Sequence, residues 1–121
     1  MTSHEVVEWY VAAWNATDEA ERRRLLERAW TEDGAYTDPT AYVAGREALI
    51  AHIGAFHGRT PGTWFDVIAG PDGHHQRVRF IWRLNANRIT LREGLDVGEL
   101  AEDGRLRGIV GFFGPLPAVV R

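Results

Sequence analysis

The sequence predicts an α+β fold in which three N-terminal helices cover one face of a strongly curved, mainly antiparallel sheet. Over the first half of the chain, apolar residues recur with the 3.6-residue period of amphipathic helices. From Trp64 onward they alternate with the two-residue period of strands, and Gly, Asn and Asp clusters separate the alternating stretches. At 121 residues the chain is expected to form one domain, residues 1–121, around a single core.

The first helix is predicted from about His4 to Asn15. Its apolar residues recur at one-turn intervals and form a single stripe, which consists of Val6, Val7, Tyr10, Val11 and Trp14. Tyr10 and Trp14 are therefore expected one turn apart on the face that packs inward.

Two further helices are predicted before residue 62. The second is capped at Thr17-Asp18 and continues to Asp33-Gly34, because acidic residues precede a run of arginines in the order that the helix macrodipole favours. The third opens at Gly45 and closes at Pro61-Gly62, with a stripe of Leu, Ile and Phe residues beside two histidines.

Between the second and third helices, a carboxylate stands between an aromatic residue and a proline in the segment Ala35-Tyr36-Thr37-Asp38-Pro39. The proline holds Asp38 in an extended conformation and ends a short strand, after which a loop is predicted. Such an aspartate either opens a turn or serves as a base in a pocket, and the residues alone leave both interpretations open.

Four strands are predicted to form an antiparallel meander over the second half of the chain. They span about residues 64–69, 77–84, 89–99 and 106–113. The composition of Gly70–Gly73 predicts the first turn of the meander. In the strand over 77–84, one face is formed by Val78, Phe80, Trp82 and Leu84.

A carboxylate occurs in the middle of the third predicted strand of the meander. Leu95 and Val97 flank Asp96 on the opposite face of that strand. A buried carboxylate is costly unless it is paired or functional, so Asp96 is a candidate pocket residue. The alternative is a salt bridge to Arg79 or Arg83 of the neighbouring strand.

Composition excludes several classes of function. A net charge of -3 with scattered arginines offers no basic stripe for nucleic acid. No apolar run approaches the roughly 20 residues that span a bilayer, and the N-terminus does not resemble a signal peptide, so no membrane contact and a cytoplasmic location are expected. The chain has no cysteine, and His74 and His75 are expected to point to opposite faces of a strand, so no metal or cofactor is predicted.

Four segments together resemble one superfamily. These are Tyr10–Asp18 on the first helix, Tyr36–Pro39 after the second, Gly45 at the start of the third, and Leu95-Asp96-Val97 in the late strand. The chain resembles the nuclear transport factor 2-like superfamily, and within it the SnoaL-like polyketide cyclases and the ketosteroid isomerases. The resemblance implies a cone-shaped, cystatin-like α+β barrel with an internal pocket for a small, mostly apolar carbonyl compound.

The resemblance also implies roles for individual residues. Asp38 matches the isomerases' general base, while Tyr10 and Asp96 match their two hydrogen-bond donors to the enolate oxygen. For the SnoaL-like cyclases, Asp38 or Asp96 is the nearest match to the aspartate base. The residues expected to line the pocket and contact substrate are Trp14, Tyr36, His52, Phe56, Trp82 and Phe112. The alternative is a non-catalytic ligand-binding or dimerisation domain of the same fold.

A homodimer is also expected from the strand pattern. The strands carry apolar residues on parts of both faces, yet three helices can cover only one face of the sheet. A second copy of the chain is the simplest cover for the other face.

Overall fold

A computed structural model describes residues 1–121 and contains three helices and six strands, which confirms the predicted α+β class. The helices are α1 (Ser3–Asn15), α2 (Glu19–Ala29) and α3 (Arg46–Arg59). The strands are β1 (Trp30–Asp38), β2 (Ala41–Ala44), β3 (Thr63–His74), β4 (Arg77–Ala86), β5 (Ile89–Leu100) and β6 (Leu106–Phe113). None of the helices has the length and apolar composition needed to cross a membrane.

The six strands form one open, mixed sheet. Its order is β2-β1-β6-β5-β4-β3, and β3 to β6 form the predicted antiparallel meander. Strands β1 and β6 pair in parallel. Because β2 and β3 are the two edges and do not pair with each other, the sheet does not close, and the expected barrel is corrected to an open sheet.

Side-chain caps fix the beginnings of α1 and α2. The Glu5 N–H donates to the Thr2 hydroxyl, and the Thr2 N–H donates to the Glu5 carboxylate, which together form a capping box. Asp18 accepts a hydrogen bond from the Glu21 N–H at 3.0 Å, so the predicted cap of the second helix is confirmed.

The segment after α2 differs from the prediction in two places. Helix α2 ends at Ala29 rather than at Gly34, because Trp30 already pairs with Leu106 of β6. The Trp30 indole N–H then donates to the Gly34 carbonyl at 3.0 Å, which stabilises the irregular start of β1. Residues 41–44, predicted as part of a loop, form β2 against β1.

The hairpin between β3 and β4 turns later than predicted. Strand β3 continues through Gly70–Gly73 with an irregular register, and the turn consists of His75 and Gln76, both with positive φ. The Nδ1 atoms of His74 and His75 are 3.1 Å apart, so these side chains do not point to opposite faces. The pair does not belong to any group of three potential metal ligands.

The core fills the space between the helices and the inner face of the sheet. The four alternating residues predicted for one face of β4 are all buried in it, which confirms that part of the pattern: Val78, Phe80, Trp82 and Leu84. One buried arginine, Arg22, joins the three helices. Its guanidinium donates to the carbonyls of Ala16 and Thr17 after α1 and of Ile50 in α3.

The outer face of the sheet carries rows of apolar side chains that cross several strands. Ile81, Leu95 and Phe112 are register partners on β4, β5 and β6, and Val97 pairs with Val110 in the next row. Phe112 is 55% exposed and Val110 is 45% exposed. Ile81, Leu95 and Val97 are partly buried.

We propose that a second copy of the chain covers this outer face. A two-fold axis through the face would bring each apolar row against its equivalent. The nearby charged groups are already neutralised as the pairs Arg79–Asp72 and Arg83–Glu93, so two copies would meet without net repulsion.

Replacing Leu95 by glutamate is therefore expected to convert a dimer into a monomer of 13.6 kDa in sedimentation at micromolar concentration. The matched control is Ile89→Glu, which adds the same charge at an exposed apolar residue outside the two rows and should leave the dimer intact. A wild-type monomer, or a Leu95→Glu dimer, would contradict the proposal.

Candidate functional site

A cavity of about 500 Å³ lies between the helices and the inner face of the sheet. Of its 18 lining residues, 11 are hydrophobic, so it suits a mostly apolar ligand with a few polar contacts. Thr40, Arg59, Leu91 and Arg92 are the exposed members of the lining and form the rim.

Tyr10 of α1 contributes a hydroxyl group without a hydrogen-bond partner. The side chain is 2% exposed and stacks on Trp30, with ring centroids 5.6 Å apart. Its oxygen is the one buried side-chain polar atom of the chain that lacks a partner. Burial and the nearby Asp96 raise its pKa well above the ordinary value, so the hydroxyl stays protonated and can donate to a ligand.

Asp38 lies at the end of β1, on the same face as Tyr36, because the two are two positions apart in the strand. Its carboxylate accepts hydrogen bonds from the Tyr36 hydroxyl at 2.5 Å and from the Thr40 N–H and hydroxyl at 2.7 Å each. Burial opposes ionisation of Asp38, but these hydrogen bonds hold its pKa below the ordinary value. Asp38 therefore bonds to the following turn and also lines the cavity as an ionised group.

Asp96 lies on the inner face of β5 between two glycines, Gly94 and Gly98, and is 6% exposed. Its Oδ1 atom accepts a hydrogen bond from the Trp82 indole N–H at 2.9 Å. Burial raises the pKa of Asp96 to about 7, and the negative charge of Asp38 acts in the same direction. At neutral pH this carboxyl is therefore poised between its protonated and ionised forms.

The alternative salt bridge from Asp96 to Arg79 or Arg83 does not form. Arg79 pairs with Asp72 and Arg83 pairs with Glu93, and both pairs are exposed. The arginines alternate with the buried residues of β4, so they lie on the outer face of the sheet and cannot reach the inner one.

Gly111 of β6 separates the two carboxyl groups. A Cβ atom added there would lie 2.8 Å from Asp96 Oδ1 and 3.5 Å from Asp38 Cβ. A side chain at this point would displace the Asp96 carboxyl group, and Asp38 and Asp96 flank Gly111 from the two neighbouring strands. The structure thus brings Tyr10, Asp38 and Asp96 to one cavity.

Aromatic side chains form most of the remaining wall. The residues predicted to contact substrate that do line the cavity are Trp14, Tyr36, His52, Phe56 and Trp82. Trp14 lies among them, with ring centroids 5.4 Å from Tyr36 and 5.9 Å from His52. Burial lowers the pKa of His52 despite the negative charge of Asp38, so its imidazole is neutral at neutral pH.

The prediction that Phe112 lines the cavity is wrong. It lies on the outer face of β6, because Gly111 occupies the inner face and successive strand residues alternate. Phe113 lines the cavity instead, with its ring 6.0 Å from that of Trp82. The pairing of Asp96 with Gly111 could have identified Phe113 as a lining residue. Phe113 is two positions after Gly111 and therefore lies on the same face of β6.

Several known structures are similar to this chain over most of its length. A SnoaL-like family protein from Agrobacterium tumefaciens, provisionally described as an isomerase, is 37% identical, with 95% of this chain and 100% of that chain covered and a TM-score of 0.88. A protein of unknown function with a cystatin-like fold from Methylobium petroleophilum is 16% identical, with coverages of 98% and 81% and a TM-score of 0.76.

A third structure, provisionally described as a SnoaL-like polyketide cyclase, comes from Jannaschia. It is 15% identical, with 91% of this chain and 85% of that chain covered and a TM-score of 0.69. At 15% or 16% identity the similarity shows the fold alone. No protein-family model and no curated protein matches the chain.

Proposed function

Since the chain belongs to the SnoaL-like family, we propose that it catalyses cofactor-free proton transfer on a small, mostly apolar carbonyl compound. Asp38 acts as the base, and Tyr10 and Asp96 donate hydrogen bonds to the developing oxyanion. One observation carries the proposal: an ionised carboxylate, a carboxyl that can hold its proton and an unpaired hydroxyl line the same cavity.

In the proposed reaction, Asp38 removes a proton from a carbon next to the substrate carbonyl. The electron pair of the C–H bond forms a C=C bond, and the carbonyl π pair moves to oxygen, which gives an enolate. The O–H groups of Tyr10 and of protonated Asp96 stabilise this oxygen by donating hydrogen bonds. Asp38 then returns the proton to the same carbon or to another carbon of the enolate, so neither an oxidant nor a reductant takes part.

The opposite pKa shifts of the two carboxyl groups support this division of roles. Hydrogen bonds keep Asp38 ionised over the neutral range, whereas burial gives Asp96 a pKa of about 7. Two carboxyl groups whose surroundings separate their pKa values in this way are suited to act as base and acid. A bound apolar ligand would also displace water from Asp38 and strengthen it as a base.

The pKa of Asp96 also favours a second assignment, in which Asp96 rather than Asp38 is the general base. A value of about 7 suits a general base that works near neutral pH, so Asp96 could remove the proton in place of Asp38. The two assignments predict opposite pH dependences around pH 7, because one requires protonated Asp96 and the other requires ionised Asp96.

We expect the protein to accelerate exchange of the C1 hydrogens of 2-tetralone with deuterium, followed by proton NMR in D2O. The rate should fall as pH rises through about 7, because Asp96 then loses the proton that it donates. Asp96→Asn keeps an N–H donor and should retain exchange while losing this pH dependence.

Two other outcomes would contradict the proposal in different ways. A rate that rises through pH 7 and disappears in Asp96→Asn would identify Asp96 as the base. Exchange no faster than in buffer at any pH would favour a non-catalytic binding domain, and titration of both carboxyl groups near their ordinary pKa values by NMR would support that conclusion.

A further inference from the structure

Two arginines at the rim of the cavity have no anionic partner. Arg59 lies in the last turn of α3 and Arg92 lies on β5, and both side chains line the cavity. The ion pairs of the chain involve other arginines throughout. The Arg92 guanidinium lies 4.2 Å from the ring centroid of Phe113, a cation–π contact that holds it beside the opening.

Each of these arginines shares a helix or strand with a residue deeper in the cavity. Arg92 and Asp96 share the inner face of β5, so their Cα atoms are roughly 13 Å apart along the strand. On α3, His52, Phe56 and Arg59 follow one another at helical spacing and span roughly 10 Å. Burial lowers the pKa of His52, the negative charge of Asp38 opposes this shift, and the positive charge of Arg59 adds to it, so Arg59 lies close enough to His52 for the two charges to interact.

Because neither arginine forms an ion pair, the two give the rim a local positive charge. Asp38 and Asp96 are the only carboxyl groups among the lining residues. Glu93 follows Arg92 in the chain, but it lies on the outer face and pairs with Arg83. The cavity that the carboxyl groups and the two arginines share is lined mostly by apolar side chains.

We infer that the ligand of this cavity carries a carboxylate at the end opposite to its carbonyl group. A guanidinium presents parallel N–H donors that match the two oxygens of a carboxylate. The apolar body of the ligand would lie along Trp14 and Phe56, and its carboxylate would reach Arg59 and Arg92. The orientation of the ligand rests on the proposed function, whereas the preference for an anion can be measured without turnover.

The test uses 6-hydroxy-2-naphthoate and its neutral carboxamide, which has the same size. The naphthol oxygen represents the enolate oxygen, and the carboxylate lies at the far end of the rings. By isothermal titration calorimetry the wild type is expected to bind the acid about tenfold more tightly than the amide, as charge-assisted hydrogen bonds imply. Arg59→Gln combined with Arg92→Gln should remove this preference and leave the affinity for the amide within about twofold.

The matched control is Arg24→Gln, which removes an exposed arginine of α2 that is outside the cavity and should keep the tenfold preference. Equal affinity for acid and amide in the wild type, absence of acid binding, or a preference that survives in the double variant would overturn the inference. The neutral probe 2-tetralone tests the proposed function separately: failure of its exchange leaves the anion preference measurable, and loss of that preference leaves the exchange measurable.

Discussion

Replacing Asp38 by asparagine is expected to slow the exchange of 2-tetralone by about 10²–10⁴-fold, the usual contribution of a positioned base. Asparagine has nearly the same shape, but its amide cannot take a proton from carbon. Its carbonyl oxygen can still accept the hydrogen bonds that the Thr40 N–H and hydroxyl donate to Asp38 at 2.7 Å. The thermal midpoint is therefore expected to change little, as differential scanning calorimetry would show.

The matched control for this change is Asp66→Asn on β3. Asp66 is also partly buried and accepts a side-chain hydrogen bond, from Asn85 at 2.8 Å, but it does not line the cavity. This variant should exchange 2-tetralone at the wild-type rate. If Asp38→Asn instead lowered the thermal midpoint strongly and left exchange unchanged, Asp38 would serve only to form the turn after β1.

The two-residue and 3.6-residue periods predicted which face several residues of the site occupy, whereas their roles were implied by the resemblance to the superfamily. The helical stripe placed Tyr10 and Trp14 on the inner face of α1, and alternation placed Trp82 on the inner face of β4. The side of β6 could not be predicted in the same way, because Val110 and Phe112 alternate with Ile109 and Phe113 and both faces are apolar. Pairing with β5 decides between them, and pairing is a tertiary property.

The boundary between α2 and β1 shows the same limit. Trp30 fits the apolar stripe of a helix, but it also fits the start of a strand, and its pairing with Leu106 from the other end of the chain favours the strand.

The pKa values of the site also depend on tertiary contacts. Hydrogen bonds from Tyr36 and Thr40 act on Asp38, while burial dominates at Asp96, so the pKa values of the two aspartates shift in opposite directions.

Replacing Arg22 by methionine is expected to lower the free energy of unfolding by about 3–5 kcal/mol. Arg22 is 3% exposed and forms no salt bridge, but its guanidinium makes four hydrogen bonds to the carbonyls of Ala16, Thr17 and Ile50 at 3.0–3.3 Å. Methionine has a similar length and donates no hydrogen bond, so these carbonyls would lose their donor where little water can replace it. The carbonyl of Ala16 lies at the end of α1, where the helix itself supplies no N–H partner.

Arg24→Met provides a matched control on the same helix. Arg24 is exposed and forms no hydrogen bond or ion pair, so this change should alter the free energy of unfolding by less than about 0.5 kcal/mol. Both variants remove one arginine charge and add the same side chain. The free energies of unfolding are obtained from urea midpoints and m values at equal protein concentration, and their difference reports the contribution of the buried hydrogen bonds. A difference below about 1 kcal/mol would contradict this role for Arg22. A difference in the expected range would mean that one side chain of α2 holds the end of α1, which carries Tyr10, against α3, which carries His52.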